Sequence, residues 1–190
     1  MSTRDAILAA ARDLQAEHDG NFSLRAVARA VGISPMAIYR HFADKDALTR
    51  ALLDSGHRRL LTALQEGLFA DTPRERLAAL ATAYVRFALD DPGTYRLLFE
   101  TPSAAQCGHR RAAATFRFLE DRVRECSASG DLPPAAAEAL ALDIWALLHG
   151  HIALHRIGKA VLMEADLNDH VAALLDRMFP RYTPHTKPKA

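Results

Sequence analysis

The side chains with the clearest binding chemistry lie in a short segment that follows Gly32. This segment combines hydroxyl, imidazole and guanidinium groups, which bind phosphate, with apolar groups that suit thymine methyls. Arg25 upstream and Lys45 downstream add two cations. Ile33 and Ile38, in the same segment, are predicted to be core. The predicted DNA-contact residues are Arg25, Ser34, Pro35, Met36, Ala37, Tyr39, Arg40, His41 and Lys45.

The residues around this segment predict two short helices joined by a tight turn. Ser23 is suited to cap the first helix, whose apolar residues fall on one face. Gly32 suits the turn, because a residue without a Cβ adopts a positive φ freely. Ser34 then caps the second helix, and Pro35 takes its first position, where a missing N–H costs nothing. A helix–turn–helix of this kind places its second helix in the DNA major groove.

The composition indicates a folded globular protein, since 49% of the 190 residues are hydrophobic and 25% are charged. The formal net charge of +1 does not by itself indicate a nucleic-acid partner. Residues 23–50 are more basic, because five Lys or Arg stand against two Asp, a local net charge of +3. This excess lies where phosphate contacts are predicted.

The two cysteines, Cys107 and Cys126, have neither a disulfide-framework pattern nor metal-ligand spacing, which favours a reduced, cytoplasmic setting. The N-terminus shows no signal-peptide pattern, and no uncharged apolar run reaches the roughly 18 residues of a membrane span. The sequence contains no Gly-rich phosphate loop and no GxSxG motif. We therefore predict a protein without enzymatic activity or cofactor.

Helical periodicity extends over the whole chain, without strand-like alternation of useful length, and predicts an all-α fold of about nine helices. A three-helix helix–turn–helix domain is predicted at residues 1–47, an effector-binding and dimerisation domain at 48–180, and a loosely ordered tail at 181–190. Outside the motif, helices are predicted near 3–18, from Asp44 toward Phe69, from Pro73 to before Pro92, from Pro92 to before Pro102, near 109–127, from Pro133 to about Arg156, and from Asp166 to before Pro180.

The predicted helix that ends near Arg156 is apolar on nearly every side. Such a helix must be buried all round, and a second copy of the chain could cover what one small domain leaves open. A fully internal helix in a monomer is the alternative. The dimer is favoured, because paired DNA half-sites about 34–36 Å apart require two recognition helices related by a two-fold axis.

Several residues of the larger domain are candidates for a mostly apolar ligand pocket, although aromatic residues at helical spacing also build ordinary cores. The predicted ligand-binding residues are Tyr84, Phe87, Tyr95, Phe99, Phe116, Trp145 and His149. His151 and His155 share a helix face, but zinc needs further ligands, so no metal site is predicted.

The segment GISPMAIYRHFADKDAL resembles the DNA-binding signature of the tetracycline-repressor-like (TetR) family of bacterial transcriptional regulators. The resemblance covers about the first fifty residues and supports every predicted DNA contact except Ser34. It implies a homodimer that binds a palindromic operator and is released by a small ligand. The later segments DPGTYRLLFE and WALLHGHIAL resemble one C-terminal subfamily, in which a tryptophan precedes a His-Gly pair.

The predicted function is therefore that of a dimeric transcriptional repressor, which a small apolar or aromatic ligand releases from its operator. Two kinds of alternative stay open. One is a ligand-independent activator or architectural DNA binder. The other is a helical ligand-binding protein or enzyme whose helix–turn–helix is incidental.

Overall fold

The computed structural model describes residues 2–17, 22–66, 69–100, 109–132, 137–158 and 167–178. These residues form an all-α structure, as predicted, without a β-strand in the described ranges. Nine helices follow one another along them: α1 (Thr3–Glu17), α2 (Leu24–Val31), α3 (Pro35–Tyr39), α4 (Lys45–Glu66), α5 (Pro73–Asp90), α6 (Pro92–Phe99), α7 (His109–Ala128), α8 (Ala137–Arg156) and α9 (Leu167–Met178).

Local capping explains why several helices begin where the sequence predicts. Before α5, the Thr72 hydroxyl accepts a hydrogen bond from the Glu75 amide at 3.2 Å, and the Glu75 carboxylate accepts one from the Thr72 amide at 3.0 Å. Before α6, the Asp91 carboxylate accepts from the Thr94 amide at 3.0 Å. The predicted signals at Pro102, Pro133, Asp166 and Pro180, and the predicted tail at 181–190, lie outside the described residues.

The chain divides into two compact units. Unit 1 comprises Met1–Thr62 and Phe87–Ala113, and so holds the helix–turn–helix, most of α4, and α6. Unit 2 comprises Ala63–Arg86 and Ala114–Ala190, and so holds most of α5 and α7 together with α8 and α9. This division describes packing, and the predicted functional boundary after residue 47 stays a prediction.

Close helix packing in unit 1 depends on two glycines. A Cβ built on Gly93 of α6 would lie 2.6 Å from the Cβ of Ala16 in α1, and one built on Gly56 of α4 would lie 2.8 Å from Cγ2 of Thr94. Both distances are far below van der Waals contact, so a larger residue would push the helices apart. The absence of a side chain at these positions lets α6 lie close to both α1 and α4.

An ion pair joins α4 to the start of α6. The Arg59 guanidinium lies 2.6 Å from the Asp91 carboxylate, which also caps α6. Burial raises the pKa of Asp91, but hydrogen bonds from Thr94 and the Arg59 charge outweigh it and lower the pKa below its usual value. Asp91 is therefore ionised at neutral pH.

In unit 2, Arg74 of α5 is buried and ties three segments together. Its guanidinium donates to the Asp176 carboxylate of α9 at 2.6 and 3.1 Å and to the Asp131 carbonyl at 3.1 Å. Cys126 is buried nearby, and burial raises the pKa of its thiol to about 11. Because the thiolate is the reactive form, this cysteine is inert at neutral pH.

Helix α8 is buried along one face only. Its buried residues are Leu140, Ala141, Ile144, Leu148 and Ile152. On the other side, Leu142 is 57% exposed and Leu154 is 45% exposed. A single chain therefore does not bury this helix all round. By length and composition α8 is also apolar enough to cross a membrane, which is weak evidence, because core helices of soluble proteins pass the same test.

Candidate DNA-binding surface and aromatic cluster

The first helix of the predicted motif is stabilised at both ends. The Ser23 hydroxyl accepts a hydrogen bond from the Ala26 amide at 3.1 Å, which caps α2. Gly32 ends this helix with φ 74° and ψ 30°, and its amide donates to the carbonyls of Ala28 and Arg29. A Cβ on Gly32 would meet no atom within 4 Å, so glycine is favoured here by conformation and not by space.

The second helix, α3, is anchored by one apolar side chain. The Ser34 hydroxyl accepts from the Ala37 amide at 3.2 Å and so caps the helix. Ile38 is fully buried, and its carbonyl accepts from the His41 and Phe42 amides at 2.8 and 2.9 Å. These contacts turn one side of α3 inward and leave the opposite side outward.

The outward side of α3 carries the predicted DNA contacts. Met36 is 71% exposed and Tyr39 is 52% exposed, so both side chains are open to solvent. Ala37 is half-buried. The other predicted contact residues are exposed as well: Arg25, Ser34, Pro35, Arg40, His41 and Lys45. The predicted contact residues are therefore accessible, and their role in DNA binding stays a prediction.

Lys45, at the start of α4, is held by an aromatic ring. Its Nζ lies 5.1 Å from the ring centre of Phe22, within the range of a cation–π interaction. The Asp44 carboxylate instead caps α4 by accepting from the Ala47 amide at 2.6 Å. Among the described residues, Lys45 forms no ion pair with Asp44 or Asp46. The ammonium group therefore remains available to an external anion such as phosphate.

Two aromatic residues support this surface but are not among the predicted site residues, although Phe42 lies within the segment that resembles the family signature. Phe22 is 8% exposed and Phe42 is 4% exposed, and the Arg4 guanidinium lies 5.0 Å from the Phe42 ring centre. Both phenylalanines flank the motif directly, and this flanking position next to basic residues is the sequence signal that could have identified them.

Four of the seven predicted ligand-binding residues lie together in unit 2. The Tyr84 hydroxyl and the Nε2 of His149 are 2.8 Å apart, a hydrogen bond. The Trp145 ring centre lies 5.2 Å from that of Tyr84, 4.9 Å from that of His149 and 6.0 Å from that of Phe116. We call these four residues the aromatic cluster. It combines aromatic rings in tilted or edge-to-face contact with one polar pair, a composition typical of sites for small organic molecules.

The other three predicted ligand-binding residues lie in unit 1. Phe87 and Tyr95 are buried, and the rings of Tyr95 and Phe99 are 5.2 Å apart. A surface cleft of about 160 Å³ in unit 1 is lined by residues of α1, α4 and α6, including Arg12 and Arg59, and by none of these three. Four of the seven candidates thus belong to unit 2 and three to unit 1, and their role in ligand binding stays a prediction.

Comparison with known proteins identifies the family. A profile described as "Bacterial regulatory proteins, tetR family" matches residues 7–52, and one described as "Tetracyclin repressor-like, C-terminal domain" matches residues 77–178. A protein of unknown function from Rhodococcus sp. RHA1 is 35% identical, with a TM-score of 0.78 over 93% of each chain. A regulatory protein of the TetR family from Rhodococcus RHA1 is 23% identical, with a TM-score of 0.77 over 96% of this chain and 100% of that chain.

The fold also resembles that of AibR, whose crystal structure contains isovaleryl coenzyme A and operator DNA. The two sequences are 19% identical, with a TM-score of 0.74 over 95% of this chain and 100% of AibR. The two matching profiles together contain the helix–turn–helix and most of the remaining helices, and the C-terminal profile alone spans more than half of the chain. The chain therefore belongs to the TetR family of DNA-binding transcriptional regulators.

Proposed function

We propose that this regulator is a homodimeric, cytoplasmic repressor that a small apolar or aromatic ligand releases from a palindromic operator. The observation that carries the DNA-binding part is the two-sided character of α3. Ile38 is fully buried on one side, while Met36 and Tyr39 are largely exposed on the other. Exposed apolar and aromatic groups on a short helix between basic flanks suit the major groove and its phosphate walls.

The exposed apolar residues of α8 support the proposal that the protein is a homodimer. Leu142 and Leu154 are both exposed on α8, and Ile157, just beyond the helix, is 66% exposed. Leaving such residues in water is unfavourable, and a second copy would bury them against its own α8. Two copies related by a two-fold axis would also present two α3 helices to the two halves of a palindrome.

The aromatic cluster supports the proposal that a small ligand binds to unit 2. Its aromatic rings offer apolar contact area, while the Tyr84–His149 pair offers a hydrogen-bond donor and acceptor. AibR, which shares the fold, was solved with both a coenzyme A thioester and operator DNA. A ligand that binds the DNA-free state more tightly would lower operator affinity by its differential binding free energy, typically about 1–3 kcal/mol, or 5- to 150-fold.

A mobility-shift assay on DNA flanking the chain's own coding region tests the DNA-binding part of this proposal. We expect retardation of at least one fragment by the dimer, with an affinity that falls steeply as salt rises, because phosphate contacts release counterions. The logarithm of affinity is then plotted against the logarithm of salt concentration. A flat plot, or no shift with any flanking fragment together with turnover of a small molecule, would favour the ligand-binding protein or enzyme instead.

A charged residue introduced on the exposed side of α8 tests whether this side forms the dimer interface. Leu142→Glu should convert the protein to monomers, because the dimer would have to bury an unpaired carboxylate, whereas the monomer leaves this position in water. Sedimentation velocity measures the mass, and circular dichroism checks the fold. Gln65→Glu places the same charge at an exposed position outside α8 and should remain dimeric. A dimeric Leu142→Glu variant would rule out this face as the interface.

A further inference from the structure

A second cation of unit 1 lies over an aromatic ring beside the helix–turn–helix. The Arg4 guanidinium, at the start of α1, lies 5.0 Å from the ring centre of Phe42. The Lys45 ammonium lies over Phe22 in the same way, at 5.1 Å. Both rings are buried, and in the sequence they stand on either side of the helix–turn–helix. Two cations are therefore held against two buried rings that border the motif.

The contact with Phe42 brings Arg4 to the segment that is predicted to contact DNA. The Phe42 amide donates to the Ile38 carbonyl of α3 at 2.9 Å, and Phe42 directly follows His41, a predicted contact. Helix α1 also packs against α2, the first helix of the motif. The Arg4 guanidinium therefore lies near the end of α3, although the two are far apart in the sequence.

The charge of Arg4 is not neutralised within the part of the chain that the structure describes. Arg4 is exposed and forms no ion pair with a residue of the described ranges. The carboxylate of its neighbour Asp5 instead accepts hydrogen bonds from the Ser2 amide and hydroxyl, at 3.1 and 2.7 Å. Consecutive residues of a helix do not face each other, which also separates Arg4 from Asp5. The guanidinium is therefore available to an external anion.

The ring also suits the guanidinium to one kind of anion. A guanidinium over a ring face keeps its in-plane N–H donors free, and these donors form a planar fork that fits two oxygens of one phosphate. Because Phe42 is buried, its ring holds the guanidinium at a defined place, and less conformational freedom is lost when a phosphate binds.

We propose that Arg4 is a further DNA-binding residue, which Phe42 positions to bind a phosphate of the operator backbone. This inference rests on the proposed role of α3 in DNA binding. A phosphate contact adds affinity and fixes the position of the protein on the duplex, but it does not read the base sequence. Arg4 is not among the predicted contacts, because it lies outside the motif and only the packing of α1 brings it to Phe42.

The test compares Arg4→Gln with Arg58→Gln in the full-length protein. Fluorescence anisotropy at several salt concentrations measures affinity for the DNA fragment found by mobility shift. Arg4→Gln should weaken binding at least about tenfold, and it should reduce the slope of log affinity against log salt by about one for each protomer. Arg58 is exposed on α4, roughly 20 Å along the helix from its start, so its loss should leave the slope unchanged.

A double-mutant cycle with Phe42→Leu tests the role of the ring, with circular dichroism as the check on the fold. If Phe42 positions Arg4, the double variant should lose clearly less affinity than the product of the two single losses. Independent losses would show that the ring does not position Arg4. A wild-type slope in Arg4→Gln, while the wild type binds the fragment, overturns this inference alone. Absence of any shift by the wild type overturns the proposed function as well.

Discussion

Replacing Tyr39 and Lys45 together with alanine is expected to weaken operator binding by at least about 100-fold, because each copy loses two phosphate contacts and a hydrogen bond to a charged group contributes roughly 1.5–3 kcal/mol. Tyr39 is 52% exposed, and Lys45 is exposed with its Nζ over the Phe22 ring. Losing that ring contact lowers stability by no more than about 1 kcal/mol. Fluorescence anisotropy on the fragment found by mobility shift gives the affinity, and circular dichroism checks the fold.

The salt dependence distinguishes a phosphate contact from a general loss of charge. Lys45→Ala alone should reduce the slope of log affinity against log salt by about one for each protomer. Arg86→Ala removes the same charge from an exposed position in unit 2 and should leave the slope unchanged. If the double variant keeps its affinity, Tyr39 and Lys45 do not contact the operator. If Lys45→Ala and Arg86→Ala give equal slopes, Lys45 does not contact a phosphate of the operator.

Replacing Ile38 with alanine is expected to lower the free energy of unfolding by about 2–5 kcal/mol, because it removes buried methyl groups and leaves a cavity. Ile38 is fully buried, and α3 has only five residues, so this helix depends on packing and not on its own hydrogen bonds. Urea denaturation measures the change. DNA binding should weaken as well, since the outer face of α3 is positioned by this inner contact.

The matched variant for this prediction is Met36→Ala on the same helix. Met36 is 71% exposed, so its loss should change the free energy of unfolding by no more than about 0.5 kcal/mol while still weakening DNA binding. Ile38→Val should fall between the two, at about 0.5–1.5 kcal/mol. Equal stability of the Ile38→Ala and Met36→Ala variants would show that Ile38 does not anchor α3.

The sequence was sufficient to predict those structural features that depend only on residues close together in the chain. The caps at Ser23, Ser34 and Thr72 join groups three residues apart, and the turn at Gly32 depends on one backbone angle. Each of these signals can be read within a few positions of the sequence. The predicted all-α fold and the helix–turn–helix follow from such local patterns together with helical periodicity.

Contacts between distant parts of the chain were not predictable in the same way. The seven candidate ligand residues look alike in sequence, yet Tyr84 and Trp145 meet in unit 2, while Tyr95 and Phe99 pack in unit 1. Helical periodicity states which face of a helix is apolar but not which helix covers it. For the same reason the sequence of α8 predicts a helix that is buried on every side, although a single chain covers only one of its faces.

By itself, the sequence determined the helices, their caps and the exposed, basic setting of the segment after Gly32, because each of these depends on side chains within one or two helical turns. Only the tertiary structure decided that Tyr84 pairs with His149, that Gly93 lies against Ala16, and that Arg4 lies over Phe42. Those contacts depend on how whole helices pack, and packing is determined by the summed fit of many side chains that no local pattern contains.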